Sequence, residues 1–131
     1  DGSTLSTLCR LLINNDSTDT NYGYQRIIGA NTVVSAYRYS TLIRIGEFTG
    51  INHLSMGNFL IYAKSGYVRT IIGTINNDIT NASTTIDAIY CQGWVWNNTA
   101  DNITSLVISA DQTNGLGVGT FIELFKVVPK V

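Results

Sequence analysis

The side chains that could carry out acid–base or nucleophilic chemistry are few in this sequence. His53 is the only histidine, and it lies in a predicted loop, residues 49–53, without a flanking catalytic motif. A Ser–His–Asp or Cys–His nucleophile would depend on that single ring. The two glutamates, Glu47 and Glu123, fall within predicted strands, whereas a glycosidase needs two carboxylates that face each other across a cleft. We therefore predict no catalytic residue and no enzymatic activity.

An oxygen-rich loop, residues 14–21, is the best candidate for a metal site. Asp16 and Asp19, with Asn15 and Ser17, could supply the hard oxygen ligands that calcium prefers. The loop lacks the central glycine and the closing glutamate of a helix–loop–helix calcium site. Asn and Asp in such runs more often cap turns with their own side chains. The favoured interpretation is a capped turn, with no metal and no cofactor.

The third candidate is a set of aromatic residues in a chain poor in charge. Aromatic rings stack on the CH groups of a sugar, while neighbouring amides and hydroxyls bind its hydroxyl groups. The same rings could instead fill a sandwich core, pair across strands or form an interface with a partner. Trp94 and Trp96 share one face of a predicted strand, which favours the core. The candidates for glycan or partner contact are Tyr22, Tyr24, Tyr37, Tyr39, Trp94 and Trp96.

The composition indicates which elements would position these residues. The 131 residues include 16 Ile and 9 Val, which are stiff at the β-carbon and fit a pleated sheet. A further 39 are Asn, Ser or Thr, and only 13% are charged. The length is typical of one domain, so we expect a single domain over residues 1–131.

Apolar residues recur with period two along most of the chain, which predicts strands. A polar loop is predicted at residues 76–84, and Ser65-Gly66 is predicted to be the two-residue turn of a hairpin. Strands spaced in this way are typical of an antiparallel sandwich or barrel. The nine predicted strands are 5–13, 22–28, 32–39, 41–48, 58–64, 67–75, 85–96, 103–110 and 120–128.

Charge and hydropathy exclude several classes of protein. A net charge of −1 gives no electrostatic basis for binding a phosphate backbone, so no nucleic-acid partner is expected. No apolar run has the length of a membrane-spanning helix, and we predict no membrane insertion. Cys9 and Cys91 lie in apolar runs and are predicted to be buried free thiols, with a single disulfide as the alternative. Thr and Ser are expected at outward strand positions, which would give a neutral surface suited to contacts.

Five sequence segments together carry a recognisable pattern. They are Leu11-Leu12-Ile13-Asn14-Asn15-Asp16 with Asn21-Tyr22; the strand ending in Tyr62; Val68-Arg69-Thr70; Trp96-Asn97-Asn98-Thr99 with Ile103-Thr104-Ser105-Leu106; and Gly119-Thr120-Phe121-Ile122-Glu123-Leu124-Phe125. Over residues 8–127 the chain resembles a family of tailed-phage virion proteins, and the closing segment is the most specific part. The chain departs from the family at Phe125-Lys126, where the family has Tyr-Gly.

The resemblance implies a jelly-roll-like β-sandwich of about eight or nine strands, from a tail, fibre or capsid-associated protein. It brings no catalytic residues. Family members usually have further strands before the Leu-rich opening, which implies a processed or fragmentary N-terminus, or an edge completed by a neighbouring chain. We therefore expect a non-enzymatic module of the extracellular virion, such as a capsid decoration, head-fibre or tail-fibre component. Its partners would be other virion proteins and further copies of itself, a trimer being plausible.

The alternative hypothesis is a lectin-like domain that binds a receptor or a glycan on the host surface. The two hypotheses differ in what they require of the aromatic side chains. A lectin needs exposed coplanar rings in a groove, whereas full burial of the rings would remove that option.

Overall fold

The computed structural model describes residues 7–48, 53–80 and 86–127, and its regular elements there are eight strands and one turn of 3-10 helix at Asp19–Asn21. The strands form a small sheet in the order β4-β1-β8 and a large sheet in the order β3-β2-β7-β6-β5, with every neighbouring pair antiparallel. The predicted antiparallel β-sandwich is confirmed. The strands are β1 (Thr7–Ile13), β2 (Tyr22–Ala30), β3 (Val33–Tyr39), β4 (Ile43–Phe48), β5 (His53–Tyr62), β6 (Arg69–Thr80), β7 (Ala88–Trp96) and β8 (Leu106–Ala110).

The core lies between the two sheets and is built from alternate residues of each strand. In β7, Trp94 and Trp96 are buried while Val95 between them is exposed, which is the period-two pattern of a strand covered on one face. The main buried cluster is Leu11, Leu12, Ile13, Tyr22, Tyr24, Leu42, Ile43, Ile71, Trp94 and Trp96. Among the described residues, no helix is long and apolar enough to cross a membrane.

Two strands extend well beyond their predicted bounds, and β2 also continues two residues past its predicted end, to Ala30. β5 begins at His53, inside a predicted loop, and β6 continues to Thr80 through much of the predicted polar loop 76–84. Asn77 explains the second error, because its buried side-chain oxygen accepts a hydrogen bond from the Glu47 amide at 2.9 Å. An asparagine with such a partner can point into a sandwich. The predicted turn at Ser65-Gly66 is present and is closed by a hydrogen bond from the Tyr67 amide to the Lys64 carbonyl at 3.4 Å. It lies within a longer connection than predicted, residues 63–68, in which Gly66 has φ +80°.

The predicted ninth strand, 120–128, is not paired. Up to residue 127 it joins neither sheet, and its large apolar side chains are exposed; Val128 lies outside the described residues. A strand needs a neighbour for its backbone N–H and C=O groups. None of the described residues provides one, so apolar alternation alone predicted the wrong state here.

The cysteines are both free, as predicted, but only one is buried. Cys9 points into the core. Its burial raises the pKa of its thiol, and the nearby Asp111 carboxylate raises it to a smaller extent. Cys91 is exposed because it occupies the opposite parity from Trp94 and Trp96 on β7 and so points away from the core. The prediction of a buried thiol at Cys91 was wrong.

The loop between β1 and β2 is held by the carboxylate of Asp16. Its Oδ2 atom accepts hydrogen bonds from the indole Nε1 of Trp96 and from the side-chain amide of Asn21, both at 2.8 Å, and Oδ1 accepts from the Thr18 amide at 3.0 Å. The hydroxyl of Tyr22 donates to the Asp16 carbonyl at 3.0 Å. The predicted turn-capping role of the loop is therefore confirmed, and Asp16 joins the loop to both β2 and β7.

A second asparagine of the same loop ties β1 to the segment before β8. The side-chain oxygen of Asn14 accepts from the amides of Thr104 and Ser105, at 2.8 and 3.2 Å, and its side-chain nitrogen donates to the Asn102 carbonyl at 2.8 Å. Asn14 has φ +53°, a left-handed conformation that asparagine tolerates better than most residues.

Asp16→Asn should lower the free energy of unfolding by about 1 to 2 kcal/mol at neutral pH, because a charged acceptor is replaced by a neutral one. Burial acts to raise the pKa of Asp16, but the hydrogen bonds from Trp96, Asn21 and Thr18 together hold it below 3.8. Because the pKa of Asp16 is lower in the folded than in the unfolded state, its carboxylate stabilises the fold above about pH 4. That stabilisation is lost as the pH falls through the folded-state pKa. The variant should therefore lose less stability than the wild type below pH of about 4.

Urea unfolding followed by tryptophan fluorescence from pH 2.5 to 7 measures both effects. Asp87→Asn is the matched control, since Asp87 is exposed and accepts no hydrogen bond from the described residues. Equal behaviour of the two variants would contradict the role assigned to Asp16.

Candidate functional site

The structure divides the six predicted contact residues into two groups. Tyr22, Tyr24, Trp94 and Trp96 are buried between the sheets, and Trp94 is only 2% exposed. Their rings leave no face for a ligand to stack on, so for these four the core interpretation replaces the contact interpretation. Tyr37 and Tyr39 are 38% and 50% exposed and stay available for contact.

Tyr37 and Tyr39 belong to an aromatic cluster at the β3 edge of the large sheet. Their rings are stacked on each other, with centroids 6.1 Å apart and planes 14° apart. The Arg26 guanidinium lies over the rings of Tyr37 and Tyr90, at 5.3 and 5.1 Å, which is the geometry of a cation–π contact. Its buried Nε atom has no hydrogen-bond partner, and no carboxylate forms an ion pair with Arg26 among the described residues.

The opposite, outward face of the large sheet is the second candidate surface. Cross-strand pairing places the outward residues of four neighbouring strands in regular rows, one of which is Gln25, Gly93, Ile72 and Leu60. None of these outward positions carries a charge. They are Gly23, Gln25, Ile27 and Gly29 on β2; Ile89, Cys91, Gly93 and Val95 on β7; Thr70, Ile72, Thr74 and Asn76 on β6; and Met56, Asn58, Leu60 and Tyr62 on β5.

A shallow groove of about 620 Å³ crosses the middle of this face, from Gln25 on β2 to Leu60 on β5. Gly93 lies at its centre, between Gln25 and Ile72, and the missing side chain there lowers the surface. Ile72 is 64% exposed beside it. Around the groove, large exposed apolar side chains alternate with hydroxyl and amide groups, as in the hydrogen-bonded pair of Thr74 and Asn58 at 2.9 Å.

The sequence predicted the neutrality of this surface but not its apolar side chains. Thr and Ser were expected at the outward positions, and Thr70 and Thr74 agree with that. Ile27, Ile72 and Leu60 do not. Each of them adjoins an inward-facing apolar residue along its strand, so the period-two pattern is broken by an apolar pair. Such pairs were the available signal for a strand with two apolar faces.

Three carboxylates singled out in the sequence, Glu47, Asp16 and Asp19, each have a partner among the described residues. Glu47 lies 3.9 Å from the Arg44 guanidinium, and no group of three or more His, Cys, Asp or Glu side chains in the described part of the chain could hold a metal ion. The carboxylates of Asp16 and Asp19 serve separate sets of donors, since Asp19 accepts from the Leu42 amide and the Thr41 hydroxyl. The side chain of His53 lies outside the described residues.

Comparison with known proteins found no family model, curated protein or solved structure that matches this chain.

Ile71 and Ile72 provide a direct test of the two faces of the large sheet. Ile71 is 2% exposed in the core, so Ile71→Ala should cost about 2 to 5 kcal/mol of unfolding free energy through lost burial and the cavity left behind. Ile72→Ala, one residue along the same strand, should change it by less than about 1 kcal/mol. Guanidinium unfolding of the two variants at low protein concentration measures the difference. Equal costs would show that the outward face is covered within a single copy.

Proposed function

We propose that this chain is a non-enzymatic structural module of a phage virion, which acts by self-association and by contact with other virion proteins. The uncharged outward face of β5, β6, β7 and β2 carries the proposal. Contiguous apolar surface on a folded domain usually marks an interaction site. The resemblance of residues 8–127 to tailed-phage virion proteins supplies the virion context.

The chemistry of the face favours contact with protein. Burying an unpaired charge in an interface is costly, and the centres of protein interfaces are depleted in charged residues. This face can be covered without burying any charge, because its polar groups are amides and hydroxyls that can hydrogen-bond across the contact. Charged residues lie at its border: Arg38, which pairs with Gln25 from the neighbouring strand β3, Asp78, two residues beyond Asn76 on β6, and Asp87, two residues before Ile89.

A charge placed in the groove tests this proposal. Ile72→Lys should leave the monomer folded and weaken self-association by about tenfold or more, since the interface would have to bury an unpaired ammonium group. Thr32→Lys is the control, because it adds the same charge at an exposed position in the turn between β2 and β3. Sedimentation velocity over a range of protein concentrations gives the association constants.

The virion assignment is tested separately on particles. Antibody labelling and mass spectrometry of gradient-purified phage should find the chain on the particle. A wild-type protein that stays monomeric at high concentration and never co-purifies with particles would contradict the proposed function.

Glycan binding is the second candidate, and the stacked pair Tyr37 and Tyr39 favours it. The two rings are nearly parallel and partly exposed, and Arg26 beside them could donate hydrogen bonds to sugar hydroxyls. Tyr39→Ala should then abolish binding on a glycan array while the protein stays folded by circular dichroism. Tyr67→Ala is the control, since Tyr67 is also an exposed tyrosine but lies in the connection between β5 and β6. No binding by the wild-type protein, or equal binding by both variants, would remove this candidate.

A further inference from the structure

The small sheet has an open edge at β8. This strand pairs with β1 on one side and with no described strand on the other. Asp111 donates its amide to the Leu8 carbonyl, and Asn14 donates to the Ser105 carbonyl, so odd-numbered residues of this segment direct their backbone groups toward β1. In an antiparallel ladder the alternate residues direct theirs away. The N–H and C=O groups of Leu106, Ile108 and Ala110 therefore point to the open edge.

The same chain contains a strand-like segment without a partner. Residues 120–127 belong to neither sheet, and their apolar side chains are exposed. Phe121, Glu123, Phe125 and Val127 would lie on one face of a strand, and Ile122 and Leu124 on the other. A chain that presents both an open edge and an unpaired apolar strand has the parts needed for strand addition.

A strand added at β8 would cover the exposed aromatic cluster. In the small sheet β4 lies against β5 and β6 of the large sheet. The next strands of the small sheet, β1 and then β8, therefore lie progressively closer to β2. The large sheet has two more strands than the small one, so the inner face of β3 extends beyond β8. Tyr37 and Tyr39 lie on that uncovered face, next to Arg26. The face of the segment with Phe121, Glu123 and Phe125 is complementary, since it offers two rings to the tyrosines and a carboxylate to a guanidinium without an ion-pair partner.

The path of the chain after β8 favours addition to another copy. Asp111 is fixed by two hydrogen bonds with Leu8 and by an ion pair with Arg10 at 3.7 Å. Gly115 then packs so closely on Thr7 and Ala110 that a Cβ atom there would lie 2.7 and 2.5 Å from their side chains. The chain therefore turns over the end of β1, away from the open side of β8. Pairing with its own β8 would require residues 116–119 to bring the chain back to the open edge.

We propose that residues 120–127 of one copy add as a strand to the open edge of β8 in a second copy. This inference rests on the proposed self-association and specifies its geometry. The added strand would extend the small sheet to four strands and shield Tyr37 and Tyr39. Because each copy donates one segment and accepts one, the exchange can be reciprocal between two copies or continue around a ring.

The double variant Glu123→Pro/Leu124→Pro tests the exchange. Neighbouring residues of a strand direct their amides to opposite sides, so one of the two prolines removes a donor to β8 whether the added strand is parallel or antiparallel. The double variant should weaken self-association of the full chain by about tenfold or more. Val118→Pro is the control: Val118 is fully exposed, lies before the segment, and its amide donates no hydrogen bond to a described residue. Association is measured by sedimentation velocity.

Residue-resolved amide exchange by NMR gives a second readout. In the wild-type oligomer the amides of Leu106, Ile108 and Ala110 should be protected, and in the Glu123→Pro/Leu124→Pro variant they should exchange quickly. The amides of Val107 and Ser109, which bond to β1, should be protected in both proteins and serve as the internal control. A loss of protection there would reveal unfolding.

Three results would overturn the exchange. If Leu106, Ile108 and Ala110 are unprotected in an oligomer that Ile72→Lys disrupts and Glu123→Pro/Leu124→Pro does not, the outward face is the interface and the proposed function stands without the exchange. If these amides are protected in a monomer at all concentrations, the segment pairs with its own β8. A wild-type protein that neither associates nor protects these amides contradicts both proposals.

Discussion

The hydrogen bond from the Trp96 indole to the Asp16 carboxylate is the interaction on which the rest of the sandwich depends. It joins β7, the central strand of the large sheet, to the loop that connects the two sheets through β1 and β2. Without that acceptor, the indole N–H would be buried with no partner and the loop would lose its anchor. Tyr22 extends the link, since its hydroxyl donates to Asp16 and accepts from the Ile13 amide at 3.1 Å. Its burial raises the pKa of that hydroxyl, which keeps it protonated as a donor.

The Asp16 loop closes one end of the sandwich, but the two sheets differ in their number of strands. Five strands face three, so part of the inner face of the large sheet is bare, and the edge of the small sheet is open beside it. These two gaps adjoin each other and match an unpaired segment of the same chain. The outward face of the large sheet is a separate surface, which is uncharged at the positions named above and is crossed by a shallow groove. The molecule thus offers one site suited to backbone pairing and one suited to side-chain contact, and the two can be disrupted independently.

The sequence predicted the all-β class, both sheets' main strands and the capping role of the 14–21 loop, because all of these follow from local residue types. It favoured burial of Trp94 and Trp96, which the structure confirms, but it did not show that Tyr22 and Tyr24 are buried while Tyr37 and Tyr39 are exposed. Trp94 and Tyr37 both lie in strands with alternating apolar residues. Whether the small sheet covers each side chain depends on how many strands that sheet has, which the alternation does not show. It failed at residues 120–127 for the same reason, since alternation describes a strand but not its neighbour. The inward Asn77 and the outward Ile72 are further cases in which a tertiary partner, or the lack of one, outweighed local preference.

The absence of charge on the outward face also determines how a contact made there would respond to its surroundings. Dissolved ions weaken an interface by screening its charges over a Debye length of about 10 Å at 0.1 M salt. A face built from isoleucine, leucine, threonine and asparagine carries no charges for dissolved ions to screen. Adhesion through it would therefore hold in dilute fresh water and in brine alike, and would weaken on cooling as the hydrophobic contribution declines.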